Sequence, residues 1–507
     1  MELILGIINI FYNLFFEKNN KNEFYVNKLI ESFVFLFDAF KDKFLLFFLF
    51  FSVFLIIIYL FLINSKKITV LIFCNIFIFL IILVIFPVNI PFTDSYDEIN
   101  LLFNNNNINY LFHTDTGFFF FFFRALHLIS YKYFNLNYSL FTYLNFLFFI
   151  LSIFILLFFL KKKNLNNFII FFLLIFFNGK WINNFYEPVN ISWTINLFLI
   201  LLIMLCLNIK NFYIKNFLIF IIYLFLLFNF KAGIVVFIYS ILYGLLIKDY
   251  REKIFFITTP ILIYFLYSYI MIHYGDNGKL PAHHTLLSSA DLFNSQLEYF
   301  RENKYILLEN FLAIQMLIFT PFIFPAKYFF IILLLIQYFI MFKFISNTKK
   351  NFFNTFKFFL LNNPLIVIGF IGCLLISFSR TDYNQVRYIS FSLLFQLGFF
   401  TFYFRDFSHK LYPIFNRFLL KSFILFYLIN LFMPHQGIFI ALHKHYINEI
   451  VKDCFIKNKN IETCYPKMFY LTFYDIKQEH YSNFKKSLFE LKNKKLSVFN
   501  DINDKLK

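Results

Sequence analysis

The feature that most constrains this chain is the recurrence of long apolar runs between Phe44 and Phe432. A membrane-spanning helix needs about 20 mostly apolar residues. Charged residues make up only 15% of the chain, whereas soluble domains carry about 25%. Disorder requires low hydrophobicity and is excluded. The sequence therefore predicts an all-α fold, a polytopic transmembrane helix bundle of about 11–13 spans.

Basic residues fall mainly in one set of connections between these runs, such as Lys161–Lys163 and Lys248–Lys253. The positive-inside rule places that set in the cytoplasm. We assign the net charge of +18 to this role and expect no nucleic-acid partner. The predicted organisation is an N-terminal apolar or amphipathic segment (1–43), the bundle (44–434) with outer loops 87–135, 273–304 and 379–388, and a small extracytoplasmic C-terminal tail (435–507).

One apolar segment, Tyr305–Phe324, does not fit the predicted alternation of the connections between the cytoplasmic and the outer side. Counting it as a full crossing would turn Lys349 and Lys350 outward, and it ends in prolines 321 and 325. We therefore predict a re-entrant or interfacial segment on the outer side, since backbone breaks at membrane depth are tolerated where they line a cavity.

The five cysteines form no metal-binding pattern. Cys454 and Cys464 flank a short polar segment of the tail. If the tail lies in an oxidising compartment, a disulfide bond between them is plausible chemistry; the alternative is two unpaired thiols.

Acidic residues are scarce, yet Asp94, Asp97 and Glu98 follow an early apolar run, with Arg124 further along the same loop. Carboxylates beside low-dielectric walls can have raised pKa values and act as bases. The simpler interpretation is a solvated loop that caps the next helix.

A second candidate group lies in other predicted outer connections. Arg380 and Arg387 suit phosphate through paired, charge-assisted hydrogen bonds, or they extend from a helix end towards water. Trp181 and Glu187 share another connection, where the tryptophan fits either an interfacial belt or a platform for a sugar. Lys231 follows a further apolar run.

The segments TDSYDEINLL, EPVNISWTINLFLILL, FNFKAGIVVF and SRTDYNQVRY, taken in order, resemble the bacterial GT-C superfamily of polytopic membrane glycosyltransferases. The resemblance covers about Pro87 to Pro466. It implies a multi-pass protein of the bacterial inner (cytoplasmic) membrane that transfers a sugar from a polyprenyl-phosphate donor. The acceptor would be a cell-envelope glycan, lipid or protein, and no nucleotide cofactor is expected.

The resemblance also implies roles for individual residues. Asp94 would take the proton of the acceptor hydroxyl, with Asp97 as the competing candidate. The remaining residues would hold the lipid phosphate or line the sugar cavity: Arg380, Arg387, Arg124, Lys231, Glu187 and Trp181. The spacing Asp-x-x-Asp-Glu differs from the tighter Asp-Asp or Asp-x-Asp/Glu pattern of the family, so dependence on a divalent metal stays open.

Other protein classes also fit the pattern. A transporter or flippase of lipid-linked glycan would show intramembrane charges and internal repeats, and no convincing repeat is present. An O-antigen polymerase or ligase would carry a long late loop, whereas Ser379–Tyr388 is short. A membrane protein without catalytic activity is the remaining alternative.

Overall fold

A computed structural model describes residues 67–90, 95–105, 107–113, 121–162, 165, 169–229, 233–274, 304–318, 326–347, 352–379, 388–407, 438–457, 478–497 and 499 of the 507-residue chain. This part is all-helical, with no strand among the described residues. A helix satisfies its backbone polar groups within one segment, as apolar surroundings demand. The predicted all-α fold is confirmed at this level.

The helices are numbered in chain order. They are α1 (Lys67–Ile85), α2 (Ser95–Asn104), α3 (Asn107–Phe112), α4 (Phe121–Tyr133), α5 (Ser139–Lys162), α6 (Ile169–Phe176), α7 (Lys180–Tyr186), α8 (Ile191–Cys206), α9 (Phe212–Phe228), α10 (Gly233–Leu246), α11 (Tyr250–Tyr274), α12 (Lys304–Gln315), α13 (Ala326–Asn347), α14 (Phe352–Asn362), α15 (Pro364–Ser379), α16 (Ile389–Phe402), α17 (Ile438–Ile456) and α18 (Gln478–Asn493).

Three described helical stretches are long and apolar enough to cross a bilayer: Ser139–Lys162, Pro188–Cys206 and Tyr250–Ile270. Shorter apolar helices of 10–17 residues accompany them, among them α9, α10 and α15. Membrane-like helical character is thus present in the described part, while the number of spans stays a prediction.

Two apolar runs of the sequence form shorter helices than the length of the run suggests. The run from Phe358 to Phe378 divides into α14 and α15 at Asn363, because Pro364 lacks a backbone N–H and disfavours a helical residue before it. The run from Phe168 to Phe177 yields only α6, eight residues long. Hydropathy detected both apolar runs but not the polar turns that end these helices.

Helix α8 is the most deeply buried of the three long stretches, with 83% of its apolar window inside the molecule, against 28% for α11. Helix α11 instead exposes large apolar side chains such as Leu262 and Phe265, which are 66% and 67% accessible. Helix α13 similarly exposes Phe339 and Phe342. Such apolar faces fit contact with lipid hydrocarbon better than contact with water.

Side-chain contacts connect segments that the charge pattern assigns to the same side. Lys215, at the start of α9, forms an ion pair with Glu252 at the start of α11. At the predicted outer side, Lys444 of α17 pairs with Glu187 just after α7, with Nζ 3.0 Å from Oε1. These contacts agree with the predicted grouping of the connections.

Candidate functional site

Three segments of the predicted outer side meet where α1 ends, α7 ends and α17 passes. The Tyr186 hydroxyl donates to the Phe86 carbonyl oxygen at 2.9 Å. His445 Nδ1 lies 2.8 Å from the Pro87 carbonyl oxygen. We name this region the tail junction and define it by the residues Pro87, Asn89, Glu187, Lys444, His445 and Asn448.

Within the tail junction, Glu187 is the carboxylate best placed to meet a ligand. Its side chain is 22% exposed and accepts from Lys444 at 3.0 Å and from Asn190 Nδ2 at 2.6 Å. Burial lowers the pKa of the Lys444 ammonium, and the Glu187 carboxylate counteracts part of that shift. The result is a positioned, charged acceptor of hydrogen bonds at the edge of the helix bundle.

Glu98 and Arg124 form a buried ion pair that links α2 to α4. Arg124 Nε and Nη2 donate to the two Glu98 oxygens at 2.8 and 2.6 Å, and Nη1 donates to the His113 carbonyl oxygen. The side chains are 0% and 5% exposed. Two parallel bonds between a guanidinium and a carboxylate give both strength and fixed geometry. The predicted phosphate ligand Arg124 is therefore held inside the first loop by this pair.

His127 of α4 lies between two buried tyrosines. Its Nδ1 is 2.5 Å from the Tyr110 hydroxyl and its Nε2 is 2.9 Å from the Tyr138 hydroxyl. Burial, with a smaller effect of the Arg124 charge, lowers the pKa of His127 from 6.5 to about 3. Burial and the Glu98 carboxylate hold the pKa values of both tyrosines well above 10.0. The imidazole is thus neutral at physiological pH.

Trp181, predicted to line a sugar cavity, is fully buried. Its ring lies 5.2 Å from that of Phe149 and stacks against Phe176 at 6.4 Å. The indole nitrogen has no hydrogen-bond partner among the described residues. The structure therefore places Trp181 in the packed interior next to α5 and α6.

The first turns of α8 bring two predicted ligand-binding connections together. Asn229 Nδ2 donates to the Ser192 carbonyl oxygen at 2.9 Å and to Asn196 Oδ1 at 3.0 Å, and Asn196 donates back to the Asn229 carbonyl oxygen at 2.9 Å. The Trp193 ring contacts that of Tyr388 at 5.7 Å. Asn229 precedes Lys231 by two residues and Tyr388 directly follows Arg387, so a described residue beside each of these two connections contacts the first turns of α8.

Two helix ends meet inside the bundle. Asn178, between α6 and α7, donates from Nδ2 to the Ile318 carbonyl oxygen at 2.6 Å, and Lys180 Nζ donates to the Leu317 carbonyl oxygen. Ser392 and Gln396 donate to the carbonyl oxygen of Gln315, the last residue of α12, at 2.9 and 3.1 Å. Side chains thus satisfy the carbonyl groups that the end of α12 leaves open.

Helix α12 has twelve residues, and all but the first of them, Lys304, belong to the segment predicted to be re-entrant. Its length is compatible with a segment that does not cross the bilayer, and the re-entrant path itself stays a prediction. Lys180, Gln315 and Gln396 were not among the predicted functional residues. The sequence feature that could have indicated these three residues is the presence of single polar residues within apolar runs.

Several predicted residues lie outside the described part of the chain, namely Asp94, Lys231, Arg380, Arg387 and Cys464. Asp97 lies in α2, but its side chain is not among those described. The predicted meeting of Asp94 with Arg380 and Arg387 therefore stays a prediction. Among the described side chains, no group of three His, Cys, Asp or Glu residues could hold a metal ion.

Cys454 of α17 is buried and disulfide-bonded, whereas Cys206 and Cys373 are free thiols. The bonding partner is not among the described side chains, so the pairing with Cys464 stays a prediction.

No family model matches this sequence, and neither the curated proteins nor the solved structures include a match.

Proposed function

We propose that this chain is a multi-pass membrane glycosyltransferase. It would transfer a sugar from a polyprenyl-phosphate donor to a cell-envelope glycan, lipid or protein at the outer face of a bacterial inner membrane. The supporting observation is that the start of the first loop, the Glu187 connection and the C-terminal helix α17 contact one another at the tail junction.

Geometry next to the tail junction also supports the proposal. Glu187 lies four residues before Ile191, the first residue of α8, and the first turns of α8 contact Asn229 and Tyr388. The described residues that flank Lys231 and Arg387 in the chain thus contact the helix that follows Glu187. A sugar needs hydrogen-bond acceptors for its hydroxyls, and its phosphate needs cations; both are available within these segments.

In the proposed reaction, the carboxylate of Asp94 takes the proton of an acceptor hydroxyl as its oxygen attacks the anomeric carbon. The bond from that carbon to the phosphate oxygen breaks, and the lipid phosphate leaves with the electron pair. Arg380 and Arg387 stabilise the phosphate charge as it develops. Glu187, held by Lys444 and Asn190, accepts hydrogen bonds from sugar hydroxyls.

The test uses the full chain in lipid nanodiscs with polyprenyl-phosphate sugars and membrane acceptors. We expect transfer by the wild type, loss of transfer in Asp94→Asn, and a raised KM for the donor in Glu187→Gln. Asp453→Asn is the matched control, because Asp453 is 52% exposed and its ion pair among the described residues is with Lys457, four residues further along the chain. Transfer by Asp94→Asn at the wild-type rate would refute the assigned base.

A transporter of lipid-linked glycan is the second candidate. The observation that favours it is the contact between the ends of α6 and α12 inside the bundle, because interrupted helices that meet within a membrane domain are typical of transporter binding sites. Movement of labelled lipid-linked glycan across proteoliposomes, without any sugar transfer, would select this function over the enzyme.

A further inference from the structure

Asn89, in the short non-helical stretch after α1, makes three hydrogen bonds to distant parts of the chain. Its backbone N–H donates to Asn448 Oδ1 of α17 at 2.9 Å. Its carbonyl oxygen accepts from the Ser497 hydroxyl, which follows α18. Its side-chain Oδ1 accepts the backbone N–H of Tyr138, next to the start of α5, at 2.8 Å.

Other contacts hold the same stretch in place. His445 contacts the Pro87 carbonyl oxygen at 2.8 Å, and the Ser139 hydroxyl donates to the Val88 carbonyl oxygen at 3.1 Å. Val88 and Ile90 are buried, at 3% and 1% exposure. A non-helical backbone would otherwise have unpaired polar groups, so the C-terminal helices supply partners that the local sequence does not.

The stretch ends four residues before Asp94. Four residues span at most about 14 Å when fully extended, so the position of Ile90 limits where Asp94 can lie. On the far side, α2 begins at Ser95 and is tied to α4 by the ion pair between Glu98 and Arg124. The described residues on both sides of the segment that carries Asp94 are thus held by contacts with other parts of the chain.

We infer that the C-terminal segment is a brace for the first loop, in which Asn448, His445 and Ser497 act on Asn89 and its neighbours as positioning residues for the segment that carries Asp94. The brace itself follows from these contacts. Its importance for catalysis rests on the proposed function.

The first test measures amide hydrogen exchange of residues 87–94 in the full chain in nanodiscs. Asn448→Leu removes the acceptor of the Asn89 N–H, and we expect exchange there to become at least about tenfold faster, which corresponds to about 1.4 kcal/mol of opening free energy. Asn448→Asp retains an acceptor oxygen and should stay near the wild type. Lys457→Ala, at the exposed end of the same helix, is the matched control.

Ser497→Ala removes the hydrogen bond from the Ser497 hydroxyl to the Asn89 carbonyl oxygen without altering α17. If Asn448→Leu does not fold, Ser497→Ala is the variant that tests the brace. The brace would be overturned if the variants that fold exchange the amide hydrogens of residues 87–94 at the wild-type rate. Faster exchange in Lys457→Ala to the same degree would overturn it as well.

The second test measures sugar transfer by the same variants. We expect kcat to fall in Asn448→Leu with little change in the KM for the donor, and Asn448→Asp to recover most of the rate. Faster exchange together with an inactive wild type would support the brace and refute the enzyme. An active wild type with unchanged exchange in Asn448→Leu would refute the brace and leave the enzyme standing.

Discussion

At the scale of single residues, the first loop depends on polar groups whose protonation is fixed by their surroundings. Neutral histidine has one donor nitrogen and one acceptor nitrogen, and His127 offers them to two tyrosine hydroxyls. Protonation would turn both nitrogens into donors and place a charge beside Arg124. The network therefore favours the neutral imidazole, in agreement with its lowered pKa.

Acidification is expected to destabilise the protein through His127. Its pKa falls from 6.5 to about 3 on folding, so between these values the unfolded chain binds a proton that the folded chain does not. Stability from this group is complete above about pH 6.5 and is lost as the pH falls towards 3, by on the order of 2 kcal/mol near pH 4.5.

His127→Gln keeps one donor and one acceptor but cannot titrate in this range. Thermal unfolding in detergent at pH 7 and near pH 4.5 should show a larger loss of Tm in the wild type than in His127→Gln. Equal losses in the two proteins would contradict the assigned protonation.

The buried ion pair makes a separate prediction. Replacing one partner, in Glu98→Leu or Arg124→Met, leaves the other group buried without its counter-charge and should cost about 3–5 kcal/mol. The double variant Glu98→Leu/Arg124→Met should cost less than the sum of the two single changes, because it leaves no isolated charge. Titration with denaturing detergent gives the unfolding free energies for this double-mutant cycle. If the losses of the two single variants add up to that of the double variant, the pair is not coupled.

At the scale of elements, α15 and α16 pack with their backbones in contact. A Cβ atom on Gly369 would overlap the backbone of Phe395, and one on Gly398 would overlap the backbone of Ile366. Small residues at such positions let apolar helices approach closely, which is a main source of helix association in membranes.

Gly369→Ala and Gly398→Ala should therefore each destabilise the protein by about 1–3 kcal/mol, since the two helices must separate. Gly244→Ala is the control, because the nearest neighbours of its Cβ atom would be side-chain atoms of Ile257 and Phe256 at 3.0 Å, against backbone atoms at 2.3 Å for Gly369 and Gly398. If Gly244→Ala loses as much unfolding free energy as the other two variants, the result would argue against the backbone contact between α15 and α16.

The sequence predicted the helices better than their ends. The apolar runs Leu136–Leu160 and Ile254–Ile272 of the sequence match α5 and α11 to within a few residues. The ends at Asn178 and Gln315 depend on contacts 137 and 140 residues apart in the chain, and no local pattern contains that information.

The site was predicted less completely for the same reason. Glu187 was recognised as a scarce acid in an outer connection, but its partner Lys444 lies 257 residues away. The family resemblance implied a phosphate-binding role for Arg124, whereas its partner in the structure is Glu98. The role of each residue stays a prediction, because only the packing of distant helices determines what each one contacts.

At the scale of the whole molecule, the predicted topology has two faces, and the contacts between connections can be compared with it. Glu187 with Lys444, and Asn89 with Asn448 and Ser497, join segments of the predicted outer set. The ion pair between Lys215 and Glu252 joins two segments of the predicted cytoplasmic set. A single bilayer orientation accounts for both groups, because helices that alternate in direction return the connections to two sides.

Labelling of single cysteines tests that orientation. Tyr133→Cys and Lys495→Cys, both at exposed positions, should react with a membrane-impermeant maleimide added outside intact cells, because both belong to the outer set. Tyr213→Cys and Tyr250→Cys, at positions 75% and 72% exposed, should react only after the membrane is opened, since they lie beside the basic connections. Labelling of Tyr133→Cys and Tyr213→Cys from the same side would contradict the orientation that the charge pattern predicts. It would also contradict the proposed site for sugar transfer at the outer face.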